Sequence, residues 1–380
     1  MAIYLDCAAT TPLDPRVQEE VFAFLAVEFG NAGSRTHAYG ERARSAVERA
    51  RNQVAALVGA ARSEVVFTSG ATESNNLAIL GLAEYGRQTG KTHLVSTEIE
   101  HPAVLEPLRA LEARGFTLTL VPPERSGRVA VESVLAAVRE STLLISVMQL
   151  NNETGIRQPI AELAEALAGH PAYFHVDAAQ GYGKESDVLR SPRIDLMSIS
   201  GHKLYAPKGV GALITRRRGQ ERVPLTPLMF GGGQELGLRP GTLPVALIVG
   251  LGKASELALQ EEAERAAQCQ RFRERLLQAL QPLEPILHGD QAHAAPQILN
   301  LSFPGLLGED VVECLREQVA LSHGAACSSQ SRTCSPVLTA MGLPEAQLEG
   351  AVRLSWCHMT PEPNTDSLVR ALERARKDYC

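Results

Sequence analysis

The chain has 380 residues, 44% of them hydrophobic and 21% charged, and a formal net charge of −6 at pH 7. That length carries a large domain and a smaller one with ample core, and the composition is ordinary for a globular enzyme. The acidic balance gives no footprint for direct nucleic-acid binding or for an anionic membrane, and the most apolar window, residues 243–251, is far too short to span a bilayer.

Asp14-Pro15 supplies an N-cap and an N1 proline ahead of Val17, Val21, Phe24 and Leu25 at helical spacing, with Gly30 as the stop. A second helix over residues 41–58 places Ala43, Val47, Ala50, Val54 and Leu57 on one face and ends at Gly59. Strands are then expected at 65–68, 93–96, 118–121, 143–148, 174–176 and 194–199, with helices at 73–82 and 102–114 among them. Apolar strands alternating with helices predict an α/β fold, a mostly parallel sheet with helices on both faces. Arg216-Arg217-Arg218 and Arg222 follow a further strand and read as a solvated turn. A charged amphipathic helix over residues 253–283 leads out to a smaller α+β unit, with strands at 298–301, 319–321 and 352–354 and a helix at 310–317. The expected division is a large domain over residues 14–258 and a small domain made of residues 1–13 and 259–380.

The seven cysteines, Cys7, Cys269, Cys314, Cys327, Cys334, Cys357 and Cys380, are odd in number and form no Cys-x-x-Cys pair. This argues against a disulfide framework and against a zinc site, and for a reducing cytoplasm. Residues 1–6 offer neither a basic nor an apolar signal segment, so no secretory leader is expected.

Ser200-Gly201-His202-Lys203 follows one of the apolar strands, and the preceding strand ends in Asp177. A lysine just past one strand and an aspartate at the tip of its neighbour are what pyridoxal 5′-phosphate (PLP) requires. The amine forms a Schiff base with the aldehyde, and the carboxylate keeps the ring nitrogen protonated so that the ring is an electron sink. Only six residues are lysines, which leaves few rivals for that amine. Taken alone, the tetrapeptide also reads as a simple turn.

Three further segments bear on the same chemistry. Residues 68–76, Thr68-Ser69-Gly70-Ala71-Thr72-Glu73-Ser74-Asn75-Asn76, lie between a strand and a helix, where small residues let backbone N–H groups and the Thr72 hydroxyl approach a phosphate; no Walker lysine is present. His101 precedes Pro102 at the sheet's carboxyl edge, placed to stack on a ring or simply to cap a helix. Asn151-Asn152-Glu153 and Gln180 have a similar double reading, as ligands or as turn residues.

Cys327 lies in Ser322-His323-Gly324-Ala325-Ala326-Cys327-Ser328-Ser329-Gln330-Ser331, nearly all small or polar. Structural cysteines usually sit among large apolar residues, whereas a nucleophile or sulfur carrier needs reach and mobility. Cys334 shares the same loop and is not excluded as an accessory thiol. Cys269 and Cys314 fall inside helical patterns and read as packing or surface residues.

These segments together resemble the cysteine desulfurases of PLP fold type I. The resemblance also runs through Gly231-Gly232-Gly233-Gln234-Glu235, Arg239-Pro240-Gly241-Thr242 and Gly324-Ala325-Ala326-Cys327, and covers nearly the whole chain in order. The long stretch from Cys327 to Val337 is similar to the subgroup with an extended cysteine loop, and within the family the chain looks most like the desulfurases of bacterial DNA phosphorothioation systems.

The resemblance implies that Lys203 carries the cofactor, Asp177 pairs with the ring nitrogen, His101 stacks on the ring, and Gln180 and Asn152 hold the ring hydroxyl and substrate. Ala71, Thr72, Ser200 and His202 would bind phosphate, with Thr242 reaching it from the other subunit of a homodimer. Asn31 and Arg353 would take the substrate carboxylate. Cys327 would accept sulfur from L-cysteine and pass it to an acceptor protein. A class V aminotransferase or selenocysteine lyase is the alternative on the same scaffold. Cys7, His323, Ala325 and Trp356-Cys357-His358 depart from the usual pattern.

Overall fold

The computed structural model describes residues 2–323 and 334–379. Its centre is a seven-stranded sheet in the order Val65–Thr68, Gly211–Thr215, Leu196–Ser200, Tyr173–Asp177, Thr142–Ser146, His93–Thr97, Thr117–Val121. All pairs are parallel except those made by Gly211–Thr215, which runs antiparallel to both neighbours. Every residue of Val65–Thr68, His93–Thr97, Thr142–Ser146, Leu196–Ser200 and Gly211–Thr215 is buried, as a sheet covered on both faces demands.

Helix Ala38–Leu57 buries Ala43, Val47, Ala50, Val54 and Leu57, the stripe its spacing predicts, and Gly59 follows at φ 65°. Each fully buried Val or Leu on that stripe contributes about 2 kcal/mol. Helix Pro15–Ala26 starts on Asp14, whose side chain accepts from Arg16 N, but it ends four residues short of Gly30. The next turn carries Val27 and Phe29 exposed, so no burial holds a longer helix there. The helix expected at 73–82 begins at Ala71, and a short second helix, Ala83–Thr89, follows it.

The helix expected at 253–283 spans Val245–Leu280, because residues 245–251 of the apolar stretch form its largely buried start. Its first half packs Ile248, Val249, Leu251 and Ala254 into the core around the large sheet. Its second half packs Cys269, Phe272, Leu276 and Leu280 into a separate core with Leu299, Leu301, Val352 and Trp356. That second core lies under a four-stranded antiparallel sheet of Ser322–His323, Val352–Ser355, Ile298–Ser302 and Ile286–Leu287, and is closed by helices Gly308–Leu315 and Thr365–Tyr379.

The arginine cluster at 216–218 is not a solvated turn. Arg216 is buried and donates to the carbonyls of Val58 and Leu189, and Arg218 pairs with Asp195 at 2.6 Å. Asp195 also receives Arg193 at 2.6 Å and the Phe174 N–H at 2.7 Å, so the cluster ties strand ends together. No described helix is long and apolar enough to cross a membrane.

Candidate active site

Five strands that run in the same direction end in Thr68, Thr97, Ser146, Asp177 and Ser200, and the residues just beyond them converge on one cavity of about 610 Å³. This is the carboxyl edge of an open α/β sheet, where ligands bind. Ala71, Thr72, His101, Asn152, Asp177, Gln180, Ser200, His202, Lys203 and Arg353 all line it. Thr242 and Asn31 do not. Both are exposed, and Asn31 spends its side chain on the Gly33 N–H at 2.8 Å. Cys327 lies outside the described residues; Cys334 is exposed.

One end of the cavity is built for an anion. Helix Ala71–Leu80 begins at the cavity with no side chain capping its first N–H groups. Its N-cap Gly70 has φ 154° and ψ −179°, a region essentially restricted to glycine. Gly211 lets the antiparallel strand pass close by, since a Cβ there would sit 2.6 Å from Gly70 Cα. Ser200 and His202 close this end. His202 is held neutral, pushed down to about 4 by burial and by the cations of Lys203, Lys208 and Lys184.

Lys203 follows strand Leu196–Ser200 on a short 3-10 turn, and its amine donates to the carbonyl of Ala8. The N-terminal segment is thereby laid against the lysine. Thr11 N donates to the His202 carbonyl at 2.9 Å, Thr11 Oγ1 accepts from Tyr205 N at 2.9 Å, and Gln180 Nε2 reaches the Ala8 carbonyl at 2.8 Å. Nothing in the sequence pattern marks Ala8, because a backbone carbonyl carries no side-chain signal.

Asp177 closes its strand with Oδ1 accepting from Ala179 N at 2.9 Å and Oδ2 from Asn75 Nδ2 at 2.8 Å. His101 caps helix Pro102–Glu112 through Nδ1, which accepts from Ala103 N at 3.1 Å, so the neutral ring carries its proton on Nε2. Burial pushes His101 down, the Lys203 cation adds to this and the Asp177 charge opposes it. His101 thus caps its helix and also lines the cavity. The paired asparagines divide their roles: Asn151 Oδ1 holds a turn by accepting from Glu153 N and Thr154 N, while Asn152 lines the cavity.

The sequence resemblance implies PLP, and the residues present fit it. An uncapped helix start with Ser200 and His202 suits a phosphate. An amine and a carboxylate share the same wall set, and Gln180 Oε1 is buried without a partner, an acceptor left for a ligand hydroxyl.

Residues 3–368 match the model of class-V aminotransferases. The chain belongs to the class V aminotransferase family. A cysteine desulfurase from Rattus norvegicus is 46% identical over 370 residues, which cover 97% of this chain and 81% of that one. The crystal structure of DndA from Streptomyces lividans is 51% identical with a TM-score of 0.82, over 95% of this chain and all of that one. A structure of SspA in complex with cysteine is 38% identical with a TM-score of 0.81, over 95% and 99% of the two chains.

Proposed function

We infer that this chain is a PLP-dependent cysteine desulfurase that converts L-cysteine to L-alanine and holds the released sulfur as a persulfide on Cys327. The observation that carries this is the single cavity in which Lys203, Asp177, His101 and Arg353 meet beside an uncapped helix start. Relatives named cysteine desulfurase or solved with cysteine bound support the substrate. They also disfavour transamination and selenocysteine lysis.

When bound, the cofactor supplies an electron sink for the α-carbon of the substrate. The remaining work falls to the chain. Lys203 would hold the cofactor through its amine and take the α-proton, while Asp177 would keep the ring nitrogen protonated. His101, neutral, would lie against the ring, and Gln180 and Asn152 would hold the ring hydroxyl and the substrate. Ala71, Thr72, Ser200 and His202 would hold the phosphate, and Thr242 would complete that cradle from the second subunit of a homodimer. Arg353 would take the substrate carboxylate, and Asn31 would join it on giving up its bond to the Gly33 N–H. The Cys327 thiolate would attack the substrate sulfur; the C–S bond breaks as the S–S bond forms, the β-carbon gains a proton, and Lys203 returns the α-proton to complete alanine. The persulfide sulfur then passes to an acceptor protein. Likeness to DndA supports DNA phosphorothioation as the destination, with iron–sulfur assembly as the alternative.

We place the large domain at residues 14–258 and the small one at 1–13 and 259–380. Helix Val245–Leu280 changes from one hydrophobic core to the other between Ala258 and Cys269, which supports a boundary there. The described cysteines are all free thiols, in keeping with a cytoplasmic enzyme.

The test uses L-cysteine labelled with ³⁵S. The parent is expected to release alanine and carry label that mass spectrometry maps to Cys327. Cys327→Ser is expected to retain its cofactor spectrum and release no alanine at a useful rate, while Cys334→Ser and Cys357→Ser stay active. Alanine formation by Cys327→Ser at the parental rate, or label on Cys334, would overturn the assignment.

A further inference from the structure

We infer that Asn75 is a positioning residue that sets the plane of the Asp177 carboxylate toward the cofactor ring; the inference rests on the reading of the cavity as a PLP site. Asn75 is fully buried in helix Ala71–Leu80 and gives its Nδ2 to Asp177 Oδ2 at 2.8 Å. Ala179 N gives the second bond, to Oδ1 at 2.9 Å. The two donors come from different elements, a helix and the turn after strand Tyr173–Asp177, so rotating the carboxylate breaks both bonds.

The amide has one workable orientation. Turned over, its oxygen would face Oδ2, acceptor against acceptor. In the orientation adopted, Asn75 Oδ1 is left buried without a partner. An unmet buried acceptor is destabilising, because its lost hydration is not replaced. The side chain bears that cost while its donor serves Asp177, a local conflict of the kind found where function overrides stability.

Asp195, on the same sheet, provides the contrast. It is bonded by the guanidinium groups of Arg193 and Arg218, as a structural carboxylate is. Asp177 receives a neutral amide and a backbone N–H instead. A neutral donor orients the oxygens without bringing a competing cation, and so leaves the carboxylate's charge for the protonated ring nitrogen. The same helix carries Ala71 and Thr72 in its first turn, so one rigid element aligns the phosphate end of the cavity with its aspartate end.

The test compares Asn75→Leu, of similar volume and without a donor, with Asn75→Ser, which keeps a shorter one. PLP affinity is measured by equilibrium dialysis of the cofactor-free proteins, with kcat and KM for L-cysteine on the loaded proteins and thermal melting of the cofactor-free ones. Asn75→Leu is expected to bind PLP about tenfold more weakly and to lose kcat about tenfold, the effect of one hydrogen bond to a charged group, with KM within about twofold. Its cofactor-free melting temperature should not fall, and Asn75→Ser should lie between Asn75→Leu and the parent. Parental PLP affinity and kcat in Asn75→Leu would overturn the inference. So would an equal loss in both variants accompanied by lower melting temperatures, which marks a structural role. If Asn75→Leu does not fold, parental affinity and kcat in Asn75→Ser would overturn it. A parent that takes up no PLP would instead sink the reading of the cavity.

Discussion

Arg353 Nη2 lies 2.6 Å from Asp6 Oδ1, while its Nη1 donates to the Asn152 carbonyl at 2.9 Å. The guanidinium that borders the cavity is therefore aimed by two segments distant in sequence, the N-terminal run and the turn after residue 150, with its Nε buried and unpartnered. Arg353→Lys keeps the charge and loses the fork. It is expected to raise KM for L-cysteine about tenfold with a smaller change in kcat, and Asp6→Asn should shift KM the same way, read by steady-state alanine release. An unchanged KM in Arg353→Lys would refute the role.

Asp177→Ala removes the partner of the ring nitrogen and leaves the anion-binding end untouched. Turnover is expected to drop about a hundredfold or more, in line with losing a preorganised electrostatic partner. PLP occupancy after dialysis should fall far less. Near-normal turnover would refute the assignment.

Glu100 sits beside His101 with Oε1 accepting from Met148 N at 2.9 Å and Thr97 Oγ1 at 2.7 Å, and with Oε2 lacking a partner. Burial pushes its carboxyl from 4.5 up to about 8. The folded chain thus keeps a proton that the unfolded chain releases between those two values, and stability falls as pH rises through that window. Glu100→Gln cannot ionise. Its melting temperature relative to the parent is expected to rise steadily between about pH 5 and pH 8. Calorimetry across that range checks it, and a constant difference would count against it.

Glu235 precedes the segment that carries Thr242 and accepts from Arg51 at 2.6 and 2.8 Å and from Phe67 N at 2.7 Å, its side chain only 1% exposed. Glu235 and Leu236 both have positive φ, 49° and 62°, a strained conformation that these bonds hold in place. Arg51→Met leaves the carboxylate buried and unpaired, and is expected to cost about 3 kcal/mol in denaturant unfolding. It should also increase proteolysis within residues 228–242. Parental stability would refute the anchoring role.

Much of this protein could be read from local pattern. The stripe of Ala43, Val47, Ala50, Val54 and Leu57, the β/α alternation, and the placement of Asp177 and Lys203 at strand ends are short-range signals, since side-chain periodicity and strand-end position are set within a few residues. The misreadings have a common cause. Residues 243–251 are strongly apolar and still declare no helix start, because burial on most sides removes the polar face that periodicity needs. Arg216 reads as a surface residue, because charge in a sequence does not reveal which backbone carbonyls wait at the other end of the side chain.

The chemistry was thus inscribed locally, as one lysine, one aspartate, one imidazole and one cysteine in recognisable settings. Their supports were decided only by tertiary contact. Ala8 receives Lys203 across 195 residues, Asn75 orients Asp177 across 102, and Asp6 holds Arg353 across 347. Such pairings arise from how strands order in the sheet and how the N-terminal segment lies against the lysine turn. A hydrogen bond between segments hundreds of residues apart leaves no spacing in the sequence by which either partner can be found.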